Sequence, residues 1–249
     1  MEPALRVEHL AVDYGGGPVV YDLDLTVERG EVVALLGANG SGRTSTLRAI
    51  AGIAPISAGD VLLDGVSVAR LAIDQRQRAG IFLVPEDRGL FAPFTVGAHM
   101  RLATRSRRGS QQGQGALELF PVLSGRLGQV AGSLSGGEAQ MLSMAMGIAS
   151  NPSVLLIDEL SFGLAPLVVK QLIDTCRRIA TDKHVAVLLV EQYVDLALTI
   201  ADRGVVLSNG RTVMSGTAET LSAQRTSLQD AYLGGEFASV ERNGRSAPR

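Results

Sequence analysis

The sequence predicts an α/β protein in which helices cover a parallel sheet and a separate antiparallel sheet is added. Two observations support this prediction. Five short runs are apolar at nearly every position, as in strands buried on both faces, and helical patterns separate several of them. The N-terminal part alternates instead between apolar and polar residues, which is typical of half-buried antiparallel strands.

The predicted strands follow directly from these patterns. Alternation begins at Leu5, and residues 20–27 repeat it. The dipeptides Asp64-Gly65 and Asn209-Gly210 each separate two apolar runs, so both predict hairpin turns. The continuous apolar runs that predict buried parallel strands are residues 32–36, 81–84, 154–157, 185–190 and 204–207.

Helical patterns fill much of the remaining chain. Apolar residues recur at helical spacing in residues 44–51 and 167–179, and the strand signal disappears between about Thr95 and Ala149. Residues 105–115 interrupt that helical region with a polar stretch rich in glycine and glutamine, which predicts a mobile loop with solvated arginines. Residues 239–249 have no apolar period, and we expect a disordered tail there.

Composition excludes several classes of protein. A hydrophobic fraction of 46% in 249 residues excludes wholesale disorder. The net charge of −2 argues against a broadly basic nucleic-acid binder. The single cysteine, Cys176, cannot form an internal disulfide, which fits a reducing compartment. The N-terminus lacks the pattern of a signal peptide, and Asn151 and Pro152 interrupt the longest uncharged window, so we expect a soluble chain.

A glycine-rich segment at residues 37–44, GANGSGRT, lies between a predicted strand and a predicted helix. Its glycines let backbone N–H groups turn towards phosphate oxygens, and the helix N-terminus adds a positive dipole. Thr44 offers a hydroxyl to Mg²⁺, and Arg43 stands where this motif has lysine. Arginine keeps the charge but has a planar fork, so phosphate binding can survive while hydrolytic geometry suffers. The alternative is a strand-to-helix turn without a ligand.

Two further motifs carry polar groups. Asp158 and Glu159 end an apolar strand, where unpaired carboxylates would be costly to bury. Asp158 could hold Mg²⁺ and Glu159 could polarise an attacking water, the alternative being a strand that emerges into solvent. Ser135 and Glu138 form a capping-box pattern in LSGGE, which predicts a helix start and, alternatively, a second anion site.

The order of phosphate loop, LSGGE and apolar strand with Asp-Glu resembles the ATP-binding subunit of ABC transporters, over about residues 5–236. The resemblance is greatest to the branch that serves importers of branched-chain amino acids, urea and short amides. The segments that carry it are VPE at 84–86, GLF at 89–91, TV at 95–96, GLAP at 163–166, VEQ at 190–192 and YLGG at 232–235.

The resemblance implies a P-loop NTPase fold in a single ABC ATP-binding domain at residues 4–238. This nucleotide-binding domain would have a mixed core sheet, an antiparallel β-subdomain and a helical subdomain at about residues 95–149. It also implies ATP and Mg²⁺ as ligands. The residues implied to bind the nucleotide are Tyr14, which would stack on adenine, and Gly37, Ala38, Asn39, Gly40, Ser41, Gly42, Arg43, Thr44 and Ser45.

The resemblance assigns the remaining roles by position. Glu159 and Gln192 are the implied catalytic residues, with Gln192 at the position that reaches the γ-phosphate. The implied metal residues are Thr44, Glu86 and Asp158. Ser135, Gly136 and Gly137 would contact ATP held by a second ATP-binding subunit, identical or related, so a lone chain should hydrolyse ATP poorly.

Three functions follow as hypotheses. The leading one is an importer subunit at the cytoplasmic face of the membrane, which couples ATP binding and hydrolysis to uptake of branched-chain amino acids or related small polar solutes. Its partners would be transmembrane permease subunits and no nucleic acid. The alternative is a hydrolysis-impaired subunit whose LSGGE segment completes a partner's site. A non-transport ATPase of translation or DNA repair is disfavoured, because the chain has one cassette and no heptad insertion.

Overall fold

The computed structural model describes residues 2–104 and 110–224, and for residues 110–114 it describes the backbone. Two sheets organise it. The first is antiparallel, with strand order β2-β1-β4-β5. Its strands are β1 (Leu5–Asp13), β2 (Pro18–Val27), β4 (Ile56–Leu63) and β5 (Val66–Ser67).

The second sheet has six strands in the order β10-β9-β3-β8-β7-β6. Five of them are parallel, and β10 pairs with β9 in the antiparallel direction, so this core sheet is mixed. The strands are β3 (Val32–Gly37), β6 (Ile81–Val84), β7 (Val154–Asp158), β8 (Ala186–Val190), β9 (Arg203–Ser208) and β10 (Arg211–Thr217). The α/β fold class predicted from the sequence is confirmed.

Helices connect the strands and pack against the sheets. They are α1 (Arg43–Ala51), α2 (Ile73–Ala79), α3 (Val96–Thr104), α4 (Ser110–Leu119), α5 (Pro121–Ser124), α6 (Gly136–Ala149), α7 (Pro166–Lys183), α8 (Val194–Ile200) and α9 (Ala218–Ala223), with a 3₁₀ turn at Ala131–Ser133. Helices α3 to α6 occupy the region where the sequence lost its strand signal.

The predicted hairpins are confirmed, and their turns have the expected backbone. Asp64 and Gly65 have φ of 50° and 75°, and Asn209 and Gly210 have φ of 49° and 74°. Two successive left-handed residues match the right-handed twist of the flanking strands. The register then pairs Leu63 with Val66 at the first turn.

The prediction of a mobile loop at residues 105–115 is wrong for residues 110–115, which are helical. Residues 105–109 lie outside the described chain, but α4 begins at Ser110. Two glycines give this segment low helical propensity, yet Ala116 and Phe120 are fully buried in the cluster that includes Leu142 and Met144 of α6. Tertiary packing of an apolar face therefore overrides local propensity.

The core sheet is buried on both faces, and every residue of β3, β7 and β8 is buried. Leu156 belongs to the cluster shared with α1 and the antiparallel sheet, whereas Leu155 and Ile157 belong to the cluster shared with α6 and α7. Alternate side chains of one strand thus stabilise both layers. The carboxyl ends of the parallel strands meet at one edge, where open α/β sheets bind ligands.

The predicted domain limits, residues 4–238, extend beyond the described chain. Residues 225–249, including the expected tail at 239–249, lie outside it. The limits of the domain and of its helical subdomain stay predictions.

Candidate nucleotide site

Loops that follow four parallel strands enclose a cleft of about 480 Å³ at the carboxyl edge of the core sheet. This volume is in the range of small-molecule sites. The first loop follows β3, and the others follow β6, β7 and β8. The residues that line the cleft are Val19, Asn39, Gly40, Ser41, Gly42, Arg43, Thr44, Ser45, Glu86, Glu159, Phe162 and Gln192.

Two positions in the loop after β3 require glycine. At Gly37, with φ of 149°, an added Cβ would collide with the Leu207 carbonyl oxygen and lie 2.5 Å from Ser41 Oγ. At Gly42, with φ of 103°, an added Cβ would lie 2.9 Å from the Val19 carbonyl oxygen. Without a Cβ at these points the chain can turn tightly and enter α1. Ala38 lies between Gly37 and the cleft-lining residues and is half-buried.

The loop provides a seat that fits a phosphate group. Ser41 is 4% exposed, and its buried Oγ has no hydrogen-bond partner among the residues that the structure describes. Buried hydroxyls nearly always have a partner, so a free one at a helix N-terminus favours a bound anion. Gly40 and Ser45 line the same cleft on either side.

Thr44 and Asp158 meet beside this seat. Thr44 Oγ1 donates to Asp158 Oδ1 at 3.2 Å. Burial raises the pKa of Asp158 to about 6, and the nearby Glu159 and Glu86 carboxylates act in the same direction. The Thr44 bond and the Arg48 charge oppose the shift. Oxygen donors around a buried, hard-to-ionise carboxyl group are the kind of set that suits Mg²⁺, whose charge would offset this cost.

Glu86, the third predicted metal residue, is exposed and lines the same cleft. The chain carries it in the loop after β6. Thr44 and Glu86 therefore line the cleft, whereas the buried Asp158 lies behind the lining and contacts Thr44 through a hydrogen bond.

Glu159 and Gln192 lie on adjacent loops of the cleft. Glu159 has φ of 51°, which is unusual for a residue with a side chain, and its N–H donates to the Val190 carbonyl at 3.0 Å. Gln192 is exposed and is the second residue after β8. Both residues, the two catalytic candidates implied by the resemblance, line the cleft.

Arg43 turns much of its guanidinium towards protein. It is 5% exposed, Nη1 donates to the Glu191 carbonyl oxygen at 2.7 Å, and Nη2 donates to Asn39 Oδ1 at 3.3 Å. The planar fork thus connects the phosphate loop to the segment that carries Gln192. A lysine ammonium has a different shape and cannot spread its donors in this way.

Tyr14 and the LSGGE residues are among the predicted residues that do not line the cleft. Tyr14 is 54% exposed, and its hydroxyl donates to Ser45 Oγ at 3.5 Å, which places the ring near the mouth of the site. Ser135, Gly136 and Gly137 are at the start of α6, away from the lining residues.

The capping box that the sequence predicts at the start of α6 is confirmed. Ser135 Oγ accepts the Glu138 N–H at 3.3 Å, and the Glu138 carboxylate accepts the Ser135 N–H at 2.9 Å. The Ser135 N–H lowers the pKa of Glu138, and Arg126, with 2.8 Å between Nη2 and Oε1, adds to this effect. The LSGGE segment therefore forms a rigid, largely exposed start to helix α6.

The sequence analysis missed three residues at the site. Val19 and Phe162 line the cleft, and Glu191 is buried behind it. Glu191 carries the same signal as Asp158, namely a charged residue at the end of an apolar strand, and that reasoning applied to residues 185–190 would have found it.

Comparison with known proteins gives the family. The family model described as "ABC transporter" matches residues 20–161. The high-affinity branched-chain amino acid transport ATP-binding protein BraG of Pseudomonas aeruginosa is 36% identical over 93% of this chain and 100% of its own length. The lipopolysaccharide export system ATP-binding protein LptB of Escherichia coli K12 is 31% identical over 94% of this chain and 98% of its own length.

Solved structures agree on the fold. An ATP-binding subunit of an ABC transporter has a TM-score of 0.80 and 27% identity, covering 92% of this chain and 96% of its own. An ATP-binding cassette in its ADP conformation has a TM-score of 0.81 and 21% identity, covering 94% and 99%. Within residues 2–104 and 110–224, no helix is both long and apolar enough to cross a membrane. The chain belongs to the ABC transporter family, as an ATP-binding subunit.

Proposed function

We propose that this subunit hydrolyses Mg²⁺-ATP in the described cleft and drives uptake of branched-chain amino acids or related small polar solutes. The observation that carries the proposal is the cleft itself. There the phosphate loop faces Glu159 and Gln192, with Thr44 and Asp158 in contact beside it.

The phosphate loop holds the triphosphate. Its backbone N–H groups and the N-terminus of α1 attract the anion, and the unpartnered Ser41 hydroxyl donates to a phosphate oxygen. Tyr14 offers a ring face near the mouth for the adenine base. Thr44 and Asp158, with Glu86 nearby, would hold a magnesium ion. Bound Mg²⁺ neutralises charge on the phosphate oxygens.

The catalytic step belongs to the opposite wall. Glu159 accepts a hydrogen bond from the attacking water and orients its oxygen towards the terminal phosphorus atom. Gln192 donates its amide N–H to a terminal phosphate oxygen, and because it carries no charge it acts by hydrogen bonding alone. The strained backbone at Glu159 is held by its bond to Val190, so the carboxylate is positioned before the substrate arrives.

The LSGGE segment serves a second subunit. Ser135 and Gly136 are exposed, Gly137 is half-buried, and all three lie outside the chain's own cleft, so they suit a nucleotide that another copy or a related subunit holds. Closure of two subunits around ATP would move an attached permease at the cytoplasmic face of the membrane, and hydrolysis would reopen the pair.

Steady-state ATP hydrolysis at high protein concentration tests the proposal. Glu159→Gln should abolish turnover and retain ATP binding, whereas the exposed control Glu118→Gln should behave like the natural chain. Normal hydrolysis by Glu159→Gln would contradict the role of Glu159. The identity of the solute is tested by uptake of labelled leucine into vesicles that contain the chain with its co-purified membrane subunits. Transfer of lipopolysaccharide without uptake of leucine would show that the proposed solute is wrong.

The Arg43 contacts favour one second candidate. Since the guanidinium already donates to Glu191 and Asn39, the chain could bind ATP, hydrolyse it weakly and complete a partner's site through LSGGE. In that case Ser135→Ala should abolish hydrolysis by the mixed complex while Glu159→Gln should not. Equal effects of both substitutions would reject this version.

A further inference from the structure

Glu191 is a buried carboxylate to which the catalytic scheme gives no role. It directly follows β8 and precedes Gln192. It is 2% exposed, and within the described ranges only Asp158, at 3%, is a comparably buried acidic residue. Since an ionised carboxylate is costly to bury, its contacts should explain why it is there.

Both carboxylate oxygens of Glu191 bind one residue. Oε1 accepts the Ser161 N–H at 2.9 Å, and Oε2 accepts the Ser161 hydroxyl at 2.9 Å. Ser161 is itself 8% exposed, so the pair is shielded from water. At its other end, the Glu191 carbonyl oxygen accepts Nη1 of Arg43 at 2.7 Å.

These bonds hold the turn that carries Glu159. The turn runs from Glu159 to Ser161, and the Glu159 N–H donates to the carbonyl of Val190. Val190, the last residue of β8, and Glu191, which follows it, therefore bind the two ends of this turn. Its first residue has φ of 51°, a conformation that persists only where surrounding contacts impose it.

The electrostatics of Glu191 argue against a role in packing alone. Burial raises the pKa of Glu191, and the Glu159 charge acts in the same direction, while the bonds from Ser161 oppose the shift. An apolar side chain of similar volume would pack here without any such cost. The charge is thus retained for the directional bonds that it accepts.

We propose that Glu191 is a positioning residue of the hydrolytic site, which orients Glu159 through Ser161 and is itself fastened to the phosphate loop by Arg43. This inference rests on the proposed function, ATP hydrolysis in the described cleft. It means that occupation of the phosphate loop and orientation of the water-polarising carboxylate are connected through a single residue.

Glu191→Leu and Glu191→Gln form the test pair. Leucine removes both acceptors at similar volume. Glutamine can accept the Ser161 N–H with its oxygen and donate to the Ser161 hydroxyl with its nitrogen, so it should rescue the geometry. We expect Glu191→Leu to lower kcat about 10- to 100-fold, as displaced catalytic groups do, with ATP affinity within about twofold of the natural chain. Glu191→Gln should retain most of kcat.

Amide hydrogen exchange at Ser161 provides a readout that needs no hydrolysis. The Ser161 amide should exchange faster in Glu191→Leu and remain protected in Glu191→Gln. Unchanged kcat in Glu191→Leu, or equal loss of ATP affinity and kcat, would overturn the inference. If neither the natural chain nor Arg43→Lys hydrolyses ATP, the proposed function fails instead. In that case, equal protection of the Ser161 amide in Glu191→Leu and Glu191→Gln would by itself reject the inference about Glu191.

Discussion

Replacing Asp158 by asparagine should stabilise the nucleotide-free protein at neutral pH, even though Asp158 belongs to the candidate magnesium site. The side chain is 3% exposed, and its ionised form lacks a cationic partner in hydrogen-bond contact. Asparagine removes the charge and keeps an oxygen that can accept the Thr44 hydroxyl. A carboxylate that is buried where a cation should bind destabilises the folded protein when the cation is absent.

The size of the effect follows from the pKa. Burial raises the pKa of Asp158 from 3.8 to about 6. Fully ionised, the group then costs at most about 3 kcal/mol, and partial hydration brings our expectation to about 1 to 3 kcal/mol at pH 7.5. For a chain of this length that is a rise in Tm of roughly 3 to 10 °C in Asp158→Asn.

The sign of the pH dependence is fixed by the same shift. The penalty is fully present above the folded-state pKa and absent below the unfolded value, 3.8. Because the folded protein binds the proton more tightly, the advantage of Asp158→Asn should fall to about half at pH 5 and nearly vanish below pH 4.

Thermal melts at pH 7.5, 6 and 5 without nucleotide or magnesium would measure this, with the exposed Asp182→Asn on α7 as the matched control. In a second series with Mg²⁺-ATP, the natural chain should gain stability and Asp158→Asn should gain less. A lower Tm for Asp158→Asn at pH 7.5, or a gain that does not change with pH, would refute the reasoning.

Three further substitutions have defined outcomes. Gly37→Ala should lose ATP binding and at least about 2 kcal/mol of stability in calorimetry, because its Cβ lies 2.5 Å from Ser41 Oγ, whereas an added Cβ at the control Gly16 meets no described atom within 4 Å. Arg76→Leu should lower the free energy of unfolding in urea by about 2 to 4 kcal/mol, since it removes the hydrogen bonds from a buried guanidinium to the carbonyls of Ala49, Ile50, Ala69 and Leu71. Ser135→Ala should cost about 1 kcal/mol in the same assay and leave ATP affinity of the single chain unchanged.

The parts of the fold that the sequence predicted are those with strong local signals. The buried strands are continuous apolar runs, and the hairpins depend on dipeptides that tolerate left-handed backbone. The first half of β4 lacked such a signal, because residues 57–60 are small or polar. It forms a strand since β1 pairs with it, as at Ala11 and Ala58. Pairing across the sheet was invisible in the local pattern.

The site shows the same division. The strand pattern was enough to expect Asp158 and Glu159 at the end of a strand, and the family resemblance added Gln192. The contacts of Arg43 could not be predicted, since its partner is a backbone carbonyl 148 residues away and any residue would supply that carbonyl. The polar residues at strand ends can thus be predicted from the sequence, whereas other members of the cleft, such as Val19 and Phe162, and the pairing of donors with acceptors depend on tertiary geometry.

Arg43 is where this limit matters most for function. Its guanidinium is buried, and Nη1 and Nη2 each donate one hydrogen bond to protein. Arg43→Lys should therefore cost about 1 to 2 kcal/mol in the nucleotide-free protein, because the buried Glu191 carbonyl loses its partner, while Arg48→Lys on the exposed face of α1 should cost little.

Melting and hydrolysis of Arg43→Lys together separate the two proposed functions. Lower stability with faster hydrolysis would mean that the Glu191 bond holds the guanidinium away from the phosphate, as the hydrolysis-impaired hypothesis requires. Lower stability with slower hydrolysis would mean that the arginine connects the two walls of a working site. Unchanged stability would show that the bond to Glu191 contributes nothing, and the connection between phosphate loop and Glu159 would lose its first step.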